Sequence, residues 1–158
     1  MVTDAASTSS IRTGTIEANG LTFAYREAGE GPLALCLHGF PDSAHTWDLL
    51  LPALADAGYH AVAPFLRGYA PTEVPADGLY QMGAVATDAI ALHEAFGGDG
   101  DAVLIGHDWG ALASYSVAAS APERWRRMVT LAVPPPATVT QGFFTYDQLR
   151  KSWYMFFF

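Results

Sequence analysis

Val103-Leu104-Ile105-Gly106-His107-Asp108-Trp109-Gly110-Ala111 passes from an apolar run through a tight Gly-x-Asp-x-Gly corner into small residues. The spacing is that of a sharp strand-to-helix turn, which exposes one side chain at the edge of a sheet. A serine is common at the central position; here it is Asp108. A carboxylate is anionic at neutral pH and needs no base to act as a nucleophile. It suits attack on a saturated carbon, because the product is an ester of the protein itself. The competing reading is an N-cap, with the carboxylate accepting from a free N–H of its own helix. Gly106 and Gly110 flank it as a crowded turn requires, and the corner falls at the carboxyl end of a buried strand, where α/β folds place ligands. Those neighbours put the nucleophile reading first.

The remaining pattern supplies the frame. Residues 14–18 and 21–27 alternate around Asn19-Gly20, a strong hairpin signal. Leu33-Ala34-Leu35-Cys36-Leu37 reads as a strand buried on both faces. A loop over 38–46 follows, then a helix over 47–57 with Trp47, Leu50, Leu51 and Leu54 facing inward. Residues 59–63 form a second buried strand, and 64–78 a loop containing proline and glycine. A helix over 80–96 offers Met82, Val85, Ile90, Leu92 and Phe96 to the core. Strand 102–105 leads into the corner, and a small-residue helix over 110–119 leaves it. Residues 128–133 read as a fourth buried strand, closed by Pro134-Pro135-Pro136. The β-α-β-α-β-α-β order implies a mostly parallel sheet with helices on both faces.

Composition excludes several classes. In 158 residues, 51% are hydrophobic and the net charge is −8, with a single lysine, Lys151. Nucleic acid and anionic membrane both demand clustered Lys and Arg, so neither is an expected partner. No apolar run is long enough to span a bilayer. The lone cysteine, Cys36, reads as a small core side chain, and a cytoplasmic setting is expected. Residues 1–10 carry no basic patch or apolar run, and read as a disordered tail. No spacing of His, Cys or acids suits a metal and no phosphate loop appears, so no cofactor is implied.

Three motifs carry a resemblance: His38-Gly39-Phe40-Pro41 with Asp42-Ser43, then Arg67-Gly68-Tyr69, then Gly106-His107-Asp108-Trp109-Gly110. With them the chain resembles the α/β-hydrolase superfamily, and within it the epoxide hydrolases. The second motif departs from the family pattern: Phe65-Leu66 stand where an Asp precedes the Arg, and Ala70 and Thr72 where Gly and Ser follow. Arg67 accordingly reads as a structural ion-pair partner. The resemblance implies an oxyanion hole built from the N–H groups of Phe40 and Trp109. Physics agrees for Trp109, which opens a helix where free N–H groups and the dipole favour negative charge. His38 reads as a buried imidazole bracing its loop, and the Trp109 indole as pocket wall or core. Ser152-Trp153-Tyr154 is similar to the place where these enzymes carry a lid tyrosine. Tyr154 is therefore a candidate acid for the epoxide oxygen, or else part of an aromatic cluster.

The resemblance also implies a base that this sequence lacks. Its five histidines are His38, His45, His60, His93 and His107, and none follows Asp108. The expectation is an N-terminal fragment of a protein about twice as long, truncated at the start of the lid, with core over 11–140 and lid over 141–158. The chain alone is then unable to turn over. The substrate class implied is a small apolar epoxide, with water as co-substrate. Haloalkane dehalogenases share the corner, but tend to carry Asn where Phe40 stands and an acid near 131–136. A non-catalytic ligand-binding relative, with Asp108 as cap or ligand acceptor, is the other class. The aromatic end, from Phe143 and Phe144 to Phe158, together with an open last strand, is expected to lower solubility and invite association.

Overall fold

Asn19 and Gly20 both take positive φ, 47° and 73°, as a two-residue hairpin turn with the twist of its strands requires. They join β1 (Arg12–Ala18) to β2 (Leu21–Ala28), with Ala18 opposite Leu21. The computed structural model describes residues 9–157. The expected tail over 1–10 thus lies, except for Ser9 and Ser10, outside the described residues, as does Phe158.

The chain continues through β3 (Leu33–Leu37), α1 (Leu50–Asp56), β4 (His60–Pro64), α2 (Met82–Ala95), β5 (Val103–His107), α3 (Trp109–Ser120) and β6 (Arg127–Leu131). Two short helices, α4 (Pro136–Gly142) and α5 (Tyr146–Lys151), close it. The sheet order is β1-β2-β4-β3-β5-β6. The hairpin is antiparallel, β2 pairs antiparallel with β4, and β4-β3-β5-β6 are parallel. From β3 the chain crosses to one side for β4 and then to the other for β5. The carboxyl end of β3 is therefore a switch point, where loops diverge and leave a crevice.

Successive side chains of β3 alternate between two cores. Leu33, Leu35 and Leu37 join Phe23, Val62 and Leu104 under α2 and α3. Cys36 joins Ala61, Ala63 and Ile105 beneath Trp47 and Leu51. Both faces are thus covered, as a parallel sheet needs. Each fully buried leucine stabilises the fold by about 2 kcal/mol.

Two expectations need correction. The helix expected over 47–57 is divided into a 3-10 turn, Ala44–Trp47, and α1. Pro52 is the cause: it has no N–H for the Asp48 carbonyl and its ring crowds that group, so it fits only in a first turn. The strand expected to be buried over 128–133 ends at Leu131, where Ala132 takes φ 69°. Its Met128, Val129 and Leu131 are exposed, because β6 pairs only with β5 and stands at the edge.

Candidate active site

Asp108 adopts φ 51° and ψ −114°, and although it occupies the N-cap position of α3 it makes no side-chain cap bond. Its Oδ1 instead accepts the Phe40 N–H at 3.0 Å. Its own N–H donates to the Leu131 carbonyl at 3.2 Å. A non-glycine residue in this backbone region costs on the order of 1–3 kcal/mol, and persists only where its surroundings dictate it. Here they do. A Cβ on Gly110 would strike the Leu37 carbonyl, and one on Gly106 the Gly110 carbonyl and the Ser114 hydroxyl. Strand and helix backbones therefore touch, and the side chain between them is thrust outward.

The loop from β3 comes equally close. A Cβ on Gly39 would lie 2.7 Å from Asp108 Oδ1. The Phe40–Pro41 peptide is cis, and the Phe40 and Trp109 side chains are each 47% exposed. Trp109 is thus at the rim of the crevice and outside the core. As the first residue of α3 its N–H has no acceptor within the helix.

His38 is wholly buried. Its Nδ1 lies 2.9 Å from the Gly39 carbonyl, and its Nε2 accepts the Leu66 N–H at 3.1 Å. The Tyr69 ring meets it edge-on at 4.6 Å. Burial pulls the imidazole pKa below its ordinary value, against a smaller upward pull from Gly39 and Asp42. The Tyr69 hydroxyl is pushed up by burial and by the charges of Asp108 and Asp42, so it stays a neutral phenol near the elbow. Asp42 is held low by the Thr46 hydroxyl first, and by the Ser43 N–H and nearby His38 and His107. His107 ends β5, opposite Leu131.

Arg67 pairs with Asp88 of α2 through Nε at 2.6 Å and Nη2 at 2.7 Å, and donates to the Leu79 carbonyl at 2.6 Å. Both side chains are buried, 2% and 1% exposed, and Asn19 adds a bond to Asp88 at 2.7 Å. Thr72 accepts the Ala24 N–H and donates to the Phe65 carbonyl. These bonds pin the loop that carries Leu66 and Tyr69. Asp88 was missed from sequence, though an acid between Val85 and Leu92 on the inner face of a helix calls for a buried cation.

Tyr154 belongs to the closing segment of the chain. It lies in a 3-10 turn, Trp153–Phe156, and is 50% exposed. Among the described residues no hydrogen bond joins its side chain to the elbow, and α4 and α5 make no substantial contact with the sheet. A surface groove of about 700 Å³ lies elsewhere, beside Tyr25, His45 and Phe65. Among the described residues no three His, Cys, Asp or Glu gather as metal ligands, and no helix is long and apolar enough to cross a membrane.

The chain matches the alpha/beta hydrolase fold family over residues 32–157. It is 40% identical over 139 residues to an epoxide hydrolase of Caballeronia sordidicola, covering 87% of this chain and 41% of that protein. Epoxide hydrolase A of Mycobacterium tuberculosis is 38% identical over 135 residues, covering 81% and 42%. The crystal structure of an epoxide hydrolase from Vigna radiata superposes with a TM-score of 0.74 at 36% identity, covering 87% of this chain and 48% of that one. The chain spans about two fifths of the length of the two sequence relatives.

Proposed function

The chain belongs to the alpha/beta hydrolase fold family, and from that membership and the elbow geometry we propose that Asp108 is the nucleophile of an epoxide-opening hydrolase. The supporting observation is the Asp108 carboxylate itself, turned away from its own helix and toward the Phe40 N–H. One oxygen is oriented by that donor; the other is left to react. The names of the relatives point to epoxides as the substrate class.

The free oxygen attacks a ring carbon. A carbon–oxygen bond forms as the ring bond breaks, and the electron pair passes to the epoxide oxygen, which takes a proton from a phenol. We assign that phenol to Tyr154, on a lid that begins within 141–158 over a core of 11–140. The product is a hydroxyalkyl ester of Asp108. Water then attacks the ester carbonyl, and the N–H groups of Phe40 and Trp109 hold the resulting oxyanion.

The second half needs a base. His38 has both nitrogens engaged in a buried site. His45 faces Asp48, His60 faces Glu27, and His93 faces the carbonyls of Asp99 and Arg124. His107 makes no bond to Asp108 among the described residues. The chain by itself therefore stops at the ester.

The test is to incubate it with styrene oxide and weigh the intact protein. One persistent adduct, mapped by peptide digestion to Asp108, is expected. An unlabelled protein would overturn the nucleophile, and steady diol release would overturn the arrest.

A further inference from the structure

The peptide group between Gly39 and Phe40 is held at both ends. Its N–H donates to Asp108 Oδ1 at 3.0 Å, and its carbonyl lies 2.9 Å from His38 Nδ1. The Leu66 N–H, 3.1 Å from His38 Nε2, can only donate, so Nε2 offers its lone pair. In a neutral ring the proton is then on Nδ1, which donates to the Gly39 carbonyl. The imidazole is fully buried and packs perpendicular to the Tyr69 ring, and both its nitrogens are engaged, so it has one orientation.

From this series we propose that His38 is a positioning residue for the nucleophile: its Nδ1–H sets the plane of the Gly39–Phe40 peptide and so aims the Phe40 N–H at Asp108. Bonds in series polarise one another; drawing on the carbonyl makes the N–H across the same peptide a stronger donor. His38 touches no substrate. It acts through one peptide on the orientation of the carboxylate before attack, and on the oxyanion after it. The loop of Leu66 is thereby coupled to the elbow, and its anchors at Arg67–Asp88 and Thr72 become remote supports of the same bond. The inference rests on the reading of Asp108 as nucleophile for its kinetic consequence, though the hydrogen-bond series stands without it.

Two substitutions in the full chain separate positioning from bulk packing. In His38→Asn the side-chain amide nitrogen falls near the position of Nδ1 and keeps a donor for Gly39. In His38→Gln the amide falls near Nε2, and the Gly39 carbonyl loses its side-chain donor and keeps the Asp42 N–H at 3.2 Å. Alkylation by styrene oxide, measured per folded molecule, is expected to stay within about threefold of the parent for Asn and to fall at least about tenfold for Gln, the scale of a small misplacement of a reacting group. The Phe40 amide proton resonance is expected to shift upfield in Gln and to hold its place in Asn. Equal losses in the two variants would overturn the proposal. If neither variant folds, the nitrogen shifts of His38 in the unsubstituted chain decide: a proton on Nδ1 supports it and a proton on Nε2 overturns it. Absence of any adduct in the parent chain defeats the nucleophile instead, and leaves the amide and imidazole resonances to judge His38.

Discussion

Phe40 and Asp108, 68 positions apart, meet through a 3.0 Å bond from main-chain N–H to carboxylate. The Asp108 N–H is tied at the same time to Leu131 of β6. The carboxyl group is thus fixed from β3, β5 and β6 at the switch point of the sheet. Asp108→Asn keeps the shape and tolerates the positive φ but removes the nucleophile. Its fold is expected to survive, and its mass after incubation with an epoxide to stay unchanged. An adduct at residue 108 or elsewhere at the parent rate would remove this aspartate from the chemistry.

Gly39→Ala tests how close the loop must come. The added methyl would sit 2.7 Å from Oδ1 and 3.0 Å from Cγ of Asp108, so the loop or the carboxylate has to move. Overpacking of this kind costs about 1–3 kcal/mol. The alkylation rate is expected to fall by roughly a hundredfold, as for a displacement near 1 Å at a reacting centre. A urea titration and adduct kinetics on the same sample check both figures.

Among the described residues, Arg67→Ala leaves the buried Asp88 carboxylate with only Asn19 as a side-chain partner. Removing one half of such a pair costs about 3–5 kcal/mol, whereas replacing both halves by apolar groups is often close to neutral. The single variant is therefore expected to lose that much in urea unfolding, and an Arg67→Met, Asp88→Leu double variant to recover most of it. If the single variant unfolds like the parent, the pair is not holding the loop.

The strands and the elbow were legible because each is a local pattern. Leu33–Leu37 has no polar position, so it had to be covered on both faces, and Gly-x-Asp-x-Gly allows few backbones. Asn19-Gly20 fixed the hairpin for the same reason. Long-range polar pairings were less legible. Asp88 lies on a helix whose other buried residues, His93 apart, are apolar, and its partner 21 positions away, Arg67, accounts for it. The role of Pro52 was open to sequence reasoning, but the apolar spacing of Trp47, Leu50 and Leu51 obscured it. Leu131 shows the opposite limit: an apolar strand reads as buried whether or not a neighbour covers it. Tyr154 came from resemblance alone, and no hydrogen bond among the described residues joins it to Asp108.

Cys36 has no exposed surface, and burial pushes its thiol up to about 12. The thiolate is the reactive form, so the folded chain is expected to resist a disulfide-exchange reagent at pH 8 and to react fully in denaturant. Rapid reaction of the native protein would mean that the core over α1 opens readily.

The pH dependence of stability isolates His38. Its folded pKa is below the ordinary value near 6.5, chiefly through burial. Below about pH 6.5 the unfolded chain therefore gains a proton that the folded chain resists, and unfolding becomes easier as pH falls toward the folded value. Above 6.5 the contribution is complete. One proton limits the slope to about 1.4 kcal/mol per pH unit. Carboxylates act lower. Burial pulls Glu27 upward, but bonds from His60 and Arg12 outweigh it, and the Thr46 bond holds Asp42 down; their contributions fade only as pH drops below about 4. Urea midpoints between pH 7.5 and 5.5 are thus expected to fall for the parent and to fall less for His38→Asn, which has no imidazole to protonate at that position. Parallel lines for the two proteins would mean that the buried ring takes a proton as easily as a free one, and that Leu66 does not donate to it.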